Sequence, residues 1–311
     1  MLSFGGRVPS GESETGVSAA TERLRSQIKT VGPHFRRVLV TGERGARKEE
    51  VARSLHAASP VSGGPFVVCD AGSMESLRKG VRGGAGHGIH EELRKACRGG
   101  TIFFPELGLF LVAGQAELME FLDRLGEEKG ERIRVIASVS GDVQAMVAGG
   151  TLRSDLRDRM GVIEMAVAPL RERLDDVAAV AARILEGIAA HSEEEVTKIS
   201  TEALRELQRR GWPGNDRELE SALRMAVLAS GGEMIEEKHL PPATVQVEAA
   251  SEVPAGLSVS SPKLQDVVEA HVQEVLRRCE GNKLKAAEVL GISRSTLYRM
   301  LDAVAVSGRR V

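Results

Sequence analysis

The sequence predicts an α/β sandwich on a largely parallel sheet, then a subdomain of successive helices, then a small all-α module. Three observations carry this. Short apolar segments of strand character alternate with helical patterns over roughly the first 150 residues, as buried parallel strands and their crossover helices do. From Arg171 to about Leu240 the strand signals vanish and helical periods follow one another. Beyond Lys263 the string GNKLKAAEVLGISRSTLYRML, Gly281–Leu301, reads as two helices joined by a sharp turn.

Taken in order, residues 1–17 are rich in Gly and Ser, lack the apolar stretch of a secretion signal, and read as a flexible tail. A helical stretch, Ala20 to Thr30, opens the α/β unit assigned to residues 18–170. Its apolar segments fall at Arg37–Val40, Pro65–Cys69, Thr101–Phe104 and Arg134–Ser138. Residues 171–240 form the helical subdomain. Residues 241–262, PPATVQVEAASEVPAGLSVSSP, show no amphipathic period and read as a linker. Residues 263–311 form the terminal module.

In that module Leu284, Ala287 and Leu290 line one face of a helix, and Gly291 ends it by tolerating the turn's backbone. Ser293 caps the next helix, whose Leu297 and Leu301 point inward. Arg294, Ser295, Thr296 and Arg299 stay polar at its start and outer side. Such a helix can reach base edges in a major groove, while Lys283 and Lys285 hold phosphates. The module carries nine Lys/Arg against six Asp/Glu, which favours a double-stranded DNA partner. Upstream, Leu264, Val267, Val268, Val272, Val275 and Leu276 make an apolar face wider than so small a module can bury, which predicts a homodimer.

The whole chain has 311 residues, a formal net charge of −2 and an ordinary composition, 42% hydrophobic and 28% charged. No run approaches the ~18 apolar residues of a membrane span, so no membrane partner is expected. The three cysteines, Cys69, Cys97 and Cys279, have neither disulfide parity nor metal spacing, which fits a cytoplasmic protein. His87 and His90 find no third ligand in the sequence, so no metal is expected; a mobile glycine-rich loop between Asp70 and Gly99 is.

The segment VLVTGERGARKEEVARSLH places a strand, a glycine-bearing loop and Lys48 at a helix start, the setting of a phosphate-binding loop. At this point the chain resembles the AAA+ domain of sigma-54-dependent activators, the bacterial enhancer-binding proteins, whose loop reads like GESGTGKE where this chain has GERGARKE. The likeness extends through GGPFVVCDA, GGTIFFPEL, RVIASVS, LRSDLRDRM, APLRERLDDV and WPGNDREL in the family's order. The terminal module resembles the Fis-type helix-turn-helix. The resemblance implies an AAA+, P-loop NTPase-like α/β sandwich with a helical lid, followed by an all-α Fis-type helix-turn-helix domain. It also implies a homodimer through the C-terminal domain on a palindromic site in duplex DNA, self- or hetero-assembly of the AAA+ type, and a bacterial, nucleoid-associated location. The nucleotide-binding residues carried over are Gly42, Glu43, Gly45, Lys48, Glu49 and Arg217, with Arg153 and Arg159 in arginine-finger positions. Read as surface groups, Arg153 and Arg159 pair with Asp155 and Asp158.

Several parts depart from the family pattern. Arg47 stands where the phosphate loop has glycine, and a left-handed non-glycine backbone there would cost about 1–2 kcal/mol. Pro105 replaces the aspartate that holds magnesium, leaving Glu106 as a catalytic remnant. The family's sensor Asn corresponds to Ser140, and no GAFTGA string occurs between Asp70 and Gly99. Many family members begin with a sensor domain, whereas this likeness starts near residue 18. These departures predict a DNA-binding transcription regulator with an eroded, hydrolysis-incompetent AAA+ unit that binds ATP or ADP weakly if at all. An active activator ATPase, and an assembly or inhibitory partner of an intact AAA+ ring, are the alternatives.

Overall fold

The computed structural model describes residues 3–5, 16–82, 88–127, 132–190 and 198–243, together with Lys283. The helix-turn-helix residues Lys285, Arg294, Ser295, Thr296 and Arg299, the dimer face and nearly all of the linker lie outside the described residues. Lys283 is helical and exposed.

The apolar segments become strands because they are buried on both faces. Val38, Leu39 and Val40 of β2 (Arg37–Gly42) are all fully buried, as expected of parallel strands covered on either side by helices. With β3 (Phe66–Val68), β4 (Thr101–Phe104) and β5 (Arg134–Ser140), β2 lies in a six-stranded sheet of order β1-β3-β4-β5-β2-β6. The last of these, β6 (Glu164–Val167), pairs parallel to β2; β1 (Ser3–Gly5) adds antiparallel to β3. Neither had a clear sequence signal: β6 has four residues alternating exposed and buried, and β1 lies within the expected tail.

Helices α1 (Ala19–Val31) and α2 (Lys48–Ala57) cover one face of the sheet, packing Leu24, Ile28, Val51 and Leu55 on Val38, Val40, Phe103 and Ile136. The other face is covered by α4 (Ile89–Cys97), α5 (Val112–Glu127) and α7 (Ser154–Met160), with Leu93, Leu118, Phe121 and Leu156 meeting Leu39, Phe104 and Val135. Between β3 and α4 lies another helix, α3 (Ala71–Arg82). The segment read as a glycine-rich loop is therefore largely two helices, because Met74, Ile89, Leu93 and Cys97 have a core to bury into; residues 83–87 lie outside the description. A short α6 (Val143–Ala148) follows β5.

The lid has its own core. There α8 (Val177–Ala189), α9 (Thr201–Arg209) and α10 (Asn215–Ser230) gather Val180, Leu207, Leu219 and Leu223 around Trp212, whose indole N–H donates to the Leu207 carbonyl at 2.8 Å. The lid is tied to the start of α1 by Asp176. This fully buried carboxylate accepts hydrogen bonds from the backbone of Val17 and Ser18 and from the hydroxyls of Ser18 and Thr21, all within 2.7 Å. Burial alone would raise its pKa; these hydrogen bonds outweigh it and hold the carboxyl below the usual range. No helix among the described residues is long and apolar enough to cross a membrane.

Candidate functional site

In open parallel sheets ligands bind beyond the carboxyl ends of the strands, where the chain switches direction across the sheet. Here β2 lies between β5 and β6, and the loops after β2, β4 and β5 meet at that edge. Lys48, at the start of α2, is buried and folds back over the loop. Its ammonium lies 3.2 Å from the Gly42 carbonyl, 2.9 Å from that of Glu43, 2.6 Å from Ser140 Oγ and 3.0 Å from Glu106 Oε1. Ser140 Oγ in turn donates to Glu106 Oε1 at 2.9 Å. Glu106 has φ 53°, a left-handed conformation uncommon outside glycine, and its N–H donates to Ser138 Oγ at 3.1 Å. The lysine, the carboxylate and two serines thus close on one another.

Arg47 corrects a sequence expectation. Its backbone has φ −46° and ψ 55°, so the left-handed penalty is not incurred. The Lys48 N–H instead bonds to the Ala46 carbonyl at 2.5 Å, making a tight turn of inverse-γ type centred on Arg47. The Arg47 guanidinium reaches Glu50 at 2.5 Å and lies 3.7 Å from Asp216 of the lid. Asp216 is fully buried and also pairs with Arg173; Glu50 pairs with Arg183 at 2.9 Å. Charges therefore alternate from Arg183 through Glu50, Arg47 and Asp216 to Arg173, joining α2 to the lid. The cavity left beside them, lined by Thr21, Leu24, Val167 and Val180, is about 20 Å³, room for about one water.

The loop is also held to the lid through Glu43. Arg171 donates to it twice, at 2.7 and 2.6 Å, and Asn215 Nδ2 donates to it at 3.0 Å and to the Arg44 carbonyl at 3.1 Å. The Arg171 hydrogen bonds hold the Glu43 carboxyl below its ordinary range. Gly45 has φ +81°, and a Cβ there would collide with the Gly214 carbonyl.

Of the residues singled out in the sequence, Gly45, Lys48, Glu49, Glu106 and Arg217 line one cleft of about 330 Å³, together with Pro105. Gly42 and Glu43 are not on its wall: their carbonyls hold Lys48, and the Glu43 carboxylate faces the lid. Arg153 and Arg159 also lie off this wall. Arg153 makes a two-pronged contact with Asp155, at 3.0 and 2.6 Å. Arg159 pairs with Asp123 rather than Asp158, which is taken by Arg157 at 3.0 Å; α5 brings Asp123 to the end of α7. Ser138, Arg173 and Asp216 were not anticipated, since their partners are distant in sequence. No group of potential metal ligands occurs among the described residues, and His90 meets Arg124 at 2.8 Å.

Comparison with known proteins assigns each segment. The Sigma-54 interaction domain family matches residues 15–166, the AAA+ ATPase lid domain 171–256, and the Bacterial regulatory protein, Fis family, 266–303. Over 303 residues the chain is 33% identical to the transcriptional regulatory protein ZraR of Escherichia coli, covering 92% of this chain and 68% of ZraR. The chain belongs to the sigma-54-dependent regulator family. The regulatory protein AtoC of Escherichia coli is also 33% identical, and the chain spans 62% of its length. The structure of the family member NtrX from Brucella abortus in complex with ADP superposes with a TM-score of 0.64 at 27% identity, covering 94% of this chain and 69% of NtrX. Domain III of the replication initiation protein DnaA of Thermotoga maritima shares the fold, with a TM-score of 0.57 at 14% identity over 75% of this chain. Like other regulators of this family, the chain thus joins an AAA+ fold to a Fis-type helix-turn-helix of the DNA-binding class.

Proposed function

We propose that the chain is a sequence-specific DNA-binding regulator whose AAA+ unit does not hydrolyse ATP and does not by itself open sigma-54 promoters. It acts in the bacterial cytoplasm, at the nucleoid, as a dimer on a palindromic duplex site read by Arg294, Ser295, Thr296 and Arg299. One observation carries the loss of hydrolysis: the tip of β4 presents Pro105, which has no oxygen to offer, while Lys48 is closed onto Glu106 and Ser140. Magnesium in such sites neutralises charge developing between the β and γ phosphates. The cleft keeps Lys48 and Arg217 for a nucleotide's anionic groups but lacks the carboxylate that would position that ion. ATP or ADP binds weakly, because its phosphates compete with Glu106 for Lys48. The sequence adds a second support, since no GAFTGA loop is present to carry a change of state to the sigma factor.

The test is phosphate release with magnesium at saturating ATP, alone and on DNA, for the wild type and Lys48→Ala. Background rates in both are expected. A wild-type rate that disappears in Lys48→Ala would establish the active-ATPase reading instead. In a reconstituted open-complex assay with sigma-54 polymerase, Arg47→Gly/Pro105→Asp is expected to stay inactive, and a chimera that also carries a GAFTGA loop to gain activity. Co-purification with an intact relative whose turnover depends on Arg153 or Arg159 would favour an assembly role.

A further inference from the structure

The pole of the sheet opposite the cleft is marked by arginines. Arg36 leads into β2 and Arg132 into β5; the strands are neighbours, with Arg37 in register with Val135 and the Arg36 carbonyl accepting from the Val135 N–H at 2.8 Å. Between them Arg134 is buried, its guanidinium donating to the carbonyls of Val31, Gly32 and Leu55 at the ends of α1 and α2. That cation is met by carbonyl dipoles and, among the described residues, by no carboxylate, and burial pushes its pKa down to about 10. An open groove of about 340 Å³ runs over it, walled by His34, Phe35, Arg36, Ser59 and Arg132, with no acidic residue in its lining.

Many exposed guanidiniums elsewhere on the surface are ion-paired, while Arg23, Arg44, Arg205, Arg209 and Arg217, like the two here, show no carboxylate partner among the described residues. Arg124, Arg153, Arg157, Arg171 and Arg224 each lie within 3.0 Å of a carboxylate. Arg36 and Arg132 have no carboxylate partner among the described residues, and both are exposed. Of the acidic groups described on nearby elements, Asp123 is taken by Arg159, and Glu164 heads β6, beyond β2 from β5; Glu128 and Glu131, which precede Arg132 in sequence, lie outside the described residues. Exposed positive charge on the rim of a groove whose lining holds no acidic residue is a surface suited to a polyanion, and a guanidinium matches phosphate in two-pronged geometry.

We propose that this pole is a second DNA-contacting surface, on which Arg36 and Arg132 hold backbone phosphates of duplex DNA. The groove is open and places exposed cations on its rim, which suits a passing backbone better than an enclosed small anion. Such contacts position a duplex without reading its bases. They add to the recognition helix and are independent of nucleotide.

The test uses the full chain and a long duplex of arbitrary sequence, with affinity followed against salt. Each phosphate contact contributes about −0.9 to the slope of log affinity on log salt, so Arg36→Ala/Arg132→Ala should flatten it by about 1.8. Between about 50 and 200 mM salt, the wild type then loses about twelvefold more affinity than the variant. Arg36→Lys/Arg132→Lys should keep most of the slope. Arg157→Ala/Arg224→Ala, which removes guanidiniums that are also exposed but ion-paired, should leave it unchanged. An unaltered slope in Arg36→Ala/Arg132→Ala overturns the proposal, as does equal flattening in the ion-paired control. Thermal stabilisation by inorganic phosphate that Arg36→Ala/Arg132→Ala abolishes, with the DNA slope intact, overturns it in favour of a small-anion site. The same titration with Arg36→Ala/Arg132→Ala added to Arg294→Ala/Arg299→Ala separates this surface from the recognition helix: the flattening should persist, and its disappearance overturns the proposal.

Discussion

Arg47→Ala should loosen the lid, and the structure says through which partner. The Arg47 guanidinium lies 3.7 Å from an Asp216 carboxylate oxygen that has no hydrogen-bond partner, in a side chain fully removed from water. Two unit charges at that separation attract by about 4 kcal/mol at an effective dielectric of ~20. Arg47 is 21% exposed, so solvent screening reduces the expected coupling to about 1–3 kcal/mol. The measurement is a double-mutant cycle of Arg47→Ala, Asp216→Asn and the pair, read by hydrogen exchange of α10 amides, which reports opening of the lid rather than of the whole unit. Each single variant should speed exchange, and the double should be less perturbed than the sum. Additivity within about 0.5 kcal/mol would refute the bridge. Protection in the core helices α4 and α5 should stay unchanged throughout, because neither touches the charge chain.

Three other outcomes follow from the same geometry and its sequence. Asp176 has a depressed folded-state pKa, so its contribution is complete above the unfolded value of about 3.9 and is lost as pH falls through the folded one; the stability gap between wild type and Asp176→Asn should be flat near neutrality and shrink in acid, and a gap that widens there contradicts the assignment. Arg134→Ala strips donors from the last carbonyls of α1 and α2 and should lower stability by about 2–3 kcal/mol in urea unfolding; a loss below about 0.5 would show that water replaces it. Arg294→Ala or Arg299→Ala should weaken binding to a cognate duplex by about 1–3 kcal/mol if that arginine makes a two-pronged base contact, and unchanged affinity in the double variant would remove the recognition helix from its role.

The four longest strand signals were legible because each is an unbroken apolar run that the sheet buries on both faces, as in Thr101–Phe104. Local order also sufficed for the turn that carries Lys48 from strand to helix, since a strand end, glycines and the lysine stand within a few residues. It failed where an element borrows its stability from neighbours. Glu164–Val167 alternates exposed and buried residues and so offers no unbroken apolar run, and α3 and α4 become helices by burying Met74 and Leu93 in a core supplied by other segments. Side-chain partners were the least legible. Arg159 has an acidic neighbour in sequence yet meets Asp123 across two packed helices, and nothing near Arg47 announces Asp216. The error about the Arg47 backbone has a similar origin: a motif position was assigned the conformation its usual glycine permits, whereas the loop closes through a turn open to any residue.

The close approach of Gly45 to the Gly214 carbonyl changes how remnants of a motif should be interpreted. A side chain at Gly45 would have to displace the lid corner, which is itself fixed by the Asn215 amide and the buried indole of Trp212. That demand exists whether or not a nucleotide is ever bound. Positions 46 and 47 face no such backbone obstacle and accept Ala and Arg. On the proposed loss of hydrolysis, the loop has given up the glycine beside its lysine, where Arg47 now stands, while the architecture keeps Gly45, which serves the junction with the lid. In chains of this kind, a surviving glycine at that position is a marker of how two subdomains meet and carries little information about turnover.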